Sequence, residues 1–176
     1  VGYQHNDAFP GSHPLFAGPL GYNGSKAGME LIQQADVVLA LGTRLNPFST
    51  LPGYGLDYWP KQAKIIQVDI NPARIGLTKR VAVGIVGDAK KVAEGILSRL
   101  TGAAGDAGRA ERKAKIAQTK SAWAQALSSM DHEDDDVGTT WNARARADKP
   151  EWMSPRMAWR AIQSALPKEA IISSDI

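Results

Sequence analysis

The sequence contains no cysteine and only three histidines. Without thiols there can be no disulfide, no thiolate nucleophile and no cysteine-based zinc site, and a reducing cytoplasm is the expected setting. His5, His13 and His132 show no metal-ligand spacing with one another or with carboxylates, and no Ser-His-Asp arrangement is visible. Long apolar runs are missing too. The longest, Val37 to Leu41, falls far short of the roughly 18 residues that a membrane span needs, and no charged leader precedes an apolar stretch. A soluble protein with neither membrane nor targeting segment is expected. Charge of one sign is also scarce: 21 Lys and Arg against 18 Asp and Glu leave +3. The basic residues between 109 and 120 are mixed with acidic and small ones, which predicts a solvated helix face and no nucleic-acid partner. Glu133 to Asp136 lacks a glycine turn and regular oxygen spacing, so it reads as a polar loop and not a calcium site.

What is present suits one folded domain with a sizeable core: 176 residues, 43% hydrophobic and 22% charged. Val37-Val-Leu-Ala-Leu-Gly42 predicts a strand buried on both faces, preceded by a helix over residues 25–35 whose stripe of Ala27, Leu31, Ile32 and Ala35 packs on a sheet. Further strands are predicted over 64–70 and 81–86, the first closed by Asn71-Pro72 and the second leading through Gly87-Asp88 into a helix over 89–100. That helix should turn Val92, Ile96, Leu97 and Leu100 inward. Alternating strands and helices imply an α/β fold, a parallel sheet with helices on both faces.

Residues 101–108 form a small-residue linker, and 109–130 a polar, peripheral helix. The domain is taken as 1–130, a linker loop as 131–153, and 154–176 as an element entering a further domain. That element combines a helix from Ser154-Pro155 to Leu166-Pro167 with a strand from Ala170 to Ser173. Both ends read as cut, so the sheet is expected to lack elements upstream of Val1.

The informative residues stand at strand ends: Gly42-Thr43-Arg44, Asp69-Ile70-Asn71 and Gly87-Asp88-Ala89. Open α/β sheets bind ligands in the crevice outside the carboxyl ends of their strands. Asp69 is placed either to accept hydrogen bonds from ribose hydroxyls or to cap the turn before Asn71-Pro72, and Asp88 to bind or, preferably, to cap its helix. Gly21-Tyr-Asn-Gly24-Ser25 precedes a helix, where backbone amides can hold an anion. The residues preceding it, Phe16 to Leu20, do not form the strand that a dinucleotide fingerprint requires, so a plain loop and cap is the default. No catalytic machinery is visible in the residues themselves.

Several of these segments resemble, in order and approximate spacing, the middle domain of the acetolactate-synthase-like thiamine-diphosphate enzymes. They are Ala8-Phe-Pro with His13-Pro-Leu, Leu20-Gly-Tyr-Asn-Gly24, residues 35–44, Ile66-Gln-Val-Asp-Ile-Asn-Pro72 and Ile85-Val-Gly-Asp-Ala89. Residues 2–13 and 46–55 are most similar to an acetyl-transferring branch of that family. The resemblance implies a larger enzyme that cleaves the carbon–sulfur bond of sulfoacetaldehyde and passes the acetyl group to phosphate. It also implies thiamine diphosphate and Mg2+ as cofactors and a homodimer or homotetramer. The family's activating glutamate and its Gly-Asp-Gly metal motif lie in other domains, and Gly87-Asp-Ala89 and Gly105-Asp-Ala107 lack that motif's final glycine. The resemblance therefore implies no catalytic residue and no metal ligand on this chain. In flavin-containing relatives the middle domain holds an adenine dinucleotide, and the matching positions are Gly21, Gly24, Gly42, Thr43, Arg44, Asp69, Asn71, Gly87 and Asp88. Asn23 stands where those relatives carry histidine, and Leu45-Asn46-Pro47 where they carry acidic residues. The resemblance thus implies an adenine nucleotide or FAD-like ligand here, or a domain kept for structure. An acetolactate synthase fragment and a stand-alone nucleotide-binding module are the competing readings.

Overall fold

Lys64-Ile-Ile-Gln-Val-Asp69 forms the central strand of a three-stranded parallel sheet, and its neighbours are Val37–Leu41 and Val83–Val86. In chain order these are β1 (Val37–Leu41), β2 (Lys64–Asp69) and β3 (Val83–Val86). The computed structural model describes residues 1–2, 5–100, 108–129, 155–167 and 169–172. The helices are α1 (Lys26–Ile32), α2 (Ala89–Leu100), α3 (Arg109–Ser129) and α4 (Pro155–Ala165). The chain divides into two units, Val1–Trp123 and Ala124–Ile176. Residues 101–107 of the linker, Met130, the loop at 131–153 with its His132, Ser154 and residues 173–176 lie outside the described residues.

In the first unit the parallel α/β expectation holds. Leu41 pairs with Val68, and Asp69 with Val86, so the three strands end at one edge. β2, flanked on both sides, is the most buried, with Ile65, Gln67, Val68 and Asp69 all 4% exposed or less. One face is covered by Leu45 packing with Ala40 and Ile65, and Val38, Trp59 and Val81 close around them.

β1 departs from the expectation of burial on both faces. Its side chains alternate across the sheet, and Val37, Leu39 and Leu41 are exposed while Ala40 is buried. As an outer strand it has a neighbour on one side only, so its uninterrupted apolar run exceeds the cover available among the described residues.

α1 begins as the sequence indicates: the Ser25 hydroxyl accepts the Gly28 N–H at 3.4 Å. It ends three residues early. Gln34 and Ala35 donate to the carbonyls of Leu31 and Ile32, a three-residue spacing that tightens the chain into a turn. Its buried face is Ala27, Gly28 and Met29, not the stripe through Leu31 and Ala35. A Cβ on Gly28 would lie 3.1 Å from the Ala17 carbonyl oxygen, and one on Gly53 would meet the tip of Met29. Loops therefore cover this face.

α2 has the expected bounds, but Leu97 and Leu100 are exposed and only Val92 and Ile96 of the predicted inner face are half-buried. β3 itself starts two residues later than expected, with Val81 turned into the core cluster. The basic residues of α3 from Arg109 to Lys115 are exposed, as a solvated face requires, and Lys120 donates to the Pro14 carbonyl at 3.0 Å.

In the second unit α4 matches the predicted helix. Residues 170–172 are not a strand, contrary to the expectation, and Ile171 is 97% exposed. A strand is stabilised by pairing with a neighbour, and no described residue of this unit forms one.

Candidate strand-end site

The parallel register brings Gly42, Thr43, Asp69, Asn71, Gly87 and Asp88 to the carboxyl edge of the sheet. Gly42 has φ +62°, a left-handed turn that lets its N–H donate to the Val68 carbonyl at 2.8 Å. Gly87 N–H donates to the Asp69 carbonyl at 3.1 Å. A Cβ on Gly42 would sit 3.4 Å from that of Ala89, so the first turn of α2 stands beside the end of β1. Arg44 and Asn71 are exposed at this edge.

Each acidic candidate is engaged by its own backbone. The buried Asp69 carboxylate accepts the Asn71 N–H at 2.8 Å, and Asn71 in turn accepts the Ala73 N–H at 3.0 Å. Asp88 accepts the Lys91 N–H at 2.9 Å in the first turn of α2. These are the geometries of turn formation and helix capping.

Gly21 and Gly24 are held elsewhere, against the turn Pro47–Thr50 and Tyr54. Gly21 has φ +87°, and a Cβ there would lie 2.1 Å from the Phe48 carbonyl oxygen, which accepts the Tyr22 N–H. The Gly24 carbonyl accepts the Tyr54 hydroxyl at 2.9 Å. Backbone-on-backbone packing accounts for both glycines. Beneath this loop the Tyr58 hydroxyl is buried with no hydrogen bond of good geometry. Burial pushes its pKa up, and the Gly21 backbone nearby pulls it the other way. At the surface Asp57 and Lys61 pair at 2.9 Å, and this hydrogen bond lowers the carboxyl's pKa and raises the amine's.

Two site residues escaped the sequence reading. Gln67, 1% exposed in the middle of β2, donates to the carbonyls of Thr43 and Arg74 at 3.0 Å each and accepts the Gly76 N–H at 2.8 Å. Thr78 donates toward the carbonyls of Arg44 at 3.0 Å and Leu45 at 2.8 Å. An amide between Ile66 and Val68 was the available signal. Also unforeseen is an open apolar groove of about 420 Å³, lined mainly by Phe9, Leu15, Phe16, Leu31, Ile32 and Ile116. None of the nine candidate positions lines it. Among the described residues no group of three or more His, Asp or Glu is gathered as a metal site, and no helix is long and apolar enough to cross a membrane.

Residues 1–96 match the family of thiamine pyrophosphate enzymes over its central domain. The chain belongs to that family. It is 84% identical over 99% of its length to a sulfoacetaldehyde acetyltransferase of Roseovarius nubinhibens, covering 29% of that protein. It is 77% identical over its whole length to a sulfoacetaldehyde acetyltransferase of Rhodobacter capsulatus, covering 30% of it. The chain thus spans less than a third of the length of these relatives. A probable acetolactate synthase large subunit of Methanocaldococcus jannaschii is 41% identical over 52% of this chain and 15% of its own length.

Proposed function

We propose that this chain is the central portion of a thiamine-diphosphate-dependent acetyltransferase that converts sulfoacetaldehyde and phosphate to sulfite and acetyl phosphate. The observation that carries the reading is the extent of similarity. Two sulfoacetaldehyde acetyltransferases match at 84% and 77% over essentially the entire chain, whereas the acetolactate synthase likeness stops at half of it. The reaction needs no external oxidant. As the carbon–sulfur bond breaks and sulfite leaves, the carbon that bore sulfur becomes a methyl group and the aldehyde carbon reaches the acyl level, where phosphate oxygen takes it.

The described residues of this chain do not fit the thiamine diphosphate and magnesium pair. Asp69 and Asp88 are turned onto backbone N–H groups, and no described cluster of carboxylates offers metal ligands. We therefore assign the cofactor, and the bond-breaking chemistry it supplies, to parts of the parent enzyme outside this chain. The parent works as a homodimer or homotetramer in the cytoplasm.

For the domain itself, we infer an adenine nucleotide at the strand-end edge. The exposed Arg44 and Asn71 side chains supply the contacts, Gly42 and Gly87, whose N–H groups are held by the Val68 and Asp69 carbonyls, form the edge beside them, and Asp69 shapes the turn. Calorimetric titration of the full-length protein with ADP and with FAD tests this. Uptake of neither at millimolar concentration would leave the domain a scaffold.

A further inference from the structure

The two turns that follow β1 and β2 carry the exposed groups of the strand-end edge, yet no strand ladder joins them. What joins them is side-chain chemistry. A primary amide has two N–H donors and a carbonyl acceptor, and Gln67 uses all three kinds of contact on loop backbone: Thr43 on one side, Arg74 and Gly76 on the other. A leucine of similar size between Ile66 and Val68 would leave two carbonyls and one N–H without their partner. Thr78 adds a second tie, from the chain beyond β2 back to Arg44 and Leu45.

These ties hold a conformation that is costly by itself. Leu45 has φ +52°, a left-handed setting that a bulky side chain rarely adopts. Its N–H donates to the Thr43 hydroxyl at 3.2 Å and its carbonyl accepts Thr78, so the residue is fixed from both directions while its side chain is buried in the core. Strain maintained by surrounding contacts is often found where a loop must present groups to a ligand. Here the strained residue immediately follows Arg44.

We propose that Gln67 and Thr78 are positioning residues of the strand-end site. They hold the Arg44 turn and the Asn71 turn in one register, so that both meet a single phosphate-bearing ligand. The proposal rests on the adenine-nucleotide reading above and adds to it the element that sets the geometry.

The test uses the full-length protein, ADP as probe, and three variants, Gln67→Leu, Gln67→Glu and Thr78→Val, each checked for folding by circular dichroism. Wild type should bind, and Gln67→Leu should lose about tenfold or more in affinity, as expected when buried hydrogen bonds are removed. Gln67→Glu should bind progressively worse than wild type as pH rises, because an ionised carboxylate has no proton for the Thr43 and Arg74 carbonyls. A merely structural role would shift the unfolding midpoint without that pH-dependent loss of affinity. Should Gln67→Leu not fold, Thr78→Val, which cuts the second tie from a half-buried position, carries the same affinity test. Folded variants that bind ADP like wild type overturn the proposal and leave the nucleotide reading standing. Absence of ADP binding by wild type overturns both.

Discussion

The Asp69 carboxylate accepts the backbone N–H of Asn71 at 2.8 Å, and only 3% of Asp69 is exposed. That contact makes the end of β2 a closed turn. Replacing Asp69 with alanine should cost about 1.5–3 kcal/mol of stability, the range for a hydrogen bond to a charged group. Asp69→Asn, which keeps an acceptor, should cost less. Urea denaturation of the three forms measures both. A ribose contact would show the opposite pattern: ADP affinity lost with stability intact.

Tyr58 buries a hydroxyl that has no hydrogen-bond partner of good geometry. Tyr58→Phe should therefore leave stability unchanged or raise it by up to about 1 kcal/mol. Burial raises the Tyr58 pKa above its ordinary value of 10.0, so the folded chain keeps a proton that the unfolded chain releases. Its contribution is fully present below about pH 10 and is lost as pH rises through the folded pKa. Stability measured against alkaline pH should fall less steeply in Tyr58→Phe. An equal fall in both would assign the loss to other groups.

Gly21 and Gly55 both have positive φ, at +87° and +71°. A Cβ on Gly21 would collide with the Phe48 carbonyl oxygen, whereas nothing lies within 4 Å of one on Gly55. Gly21→Ala should lose more than about 3 kcal/mol, and Gly55→Ala only about 1 kcal/mol, the cost of the left-handed backbone. Paired thermal melts decide it, and similar losses at both positions would contradict the close approach of the Gly21 loop to Phe48.

Val37, Leu39 and Leu41 expose an apolar strip on an outer strand, the kind of surface through which chains associate. Purified Val1–Ile176 should self-associate, and Leu39→Lys should reduce this. Light scattering at matched concentrations checks it. Unchanged scattering would mean that this strip is not the contact surface.

Much of the fold was legible because β1, β2 and α2 each carry a strong local pattern: aliphatic runs closed by Gly42 and Asn71-Pro72, and Gly87-Asp88 opening a helix. Burial was harder to read. The run Val37 to Leu41 indicates what a strand can bury, and only its place in the sheet decides which face finds cover. Residues 170–172 show the same limit, since their Ile pair suits a strand that has no described neighbour to join. At the edge of the sheet, spacing alone located Gly42, Asp69 and Gly87 together. Whether Asp69 faces a ligand or its own turn depends on a single hydrogen bond that sequence does not display. Gln67 was hidden for a related reason: its three partners lie on two turns, 7 to 24 residues away.

The activity proposed for the parent enzyme is tested by product analysis. Full-length protein supplied with thiamine diphosphate, magnesium, sulfoacetaldehyde and phosphate should release sulfite and acetyl phosphate in equal amounts, while Val1–Ile176 alone should release neither. Acetolactate formed from pyruvate, with no phosphate-dependent sulfite from sulfoacetaldehyde, would contradict the account.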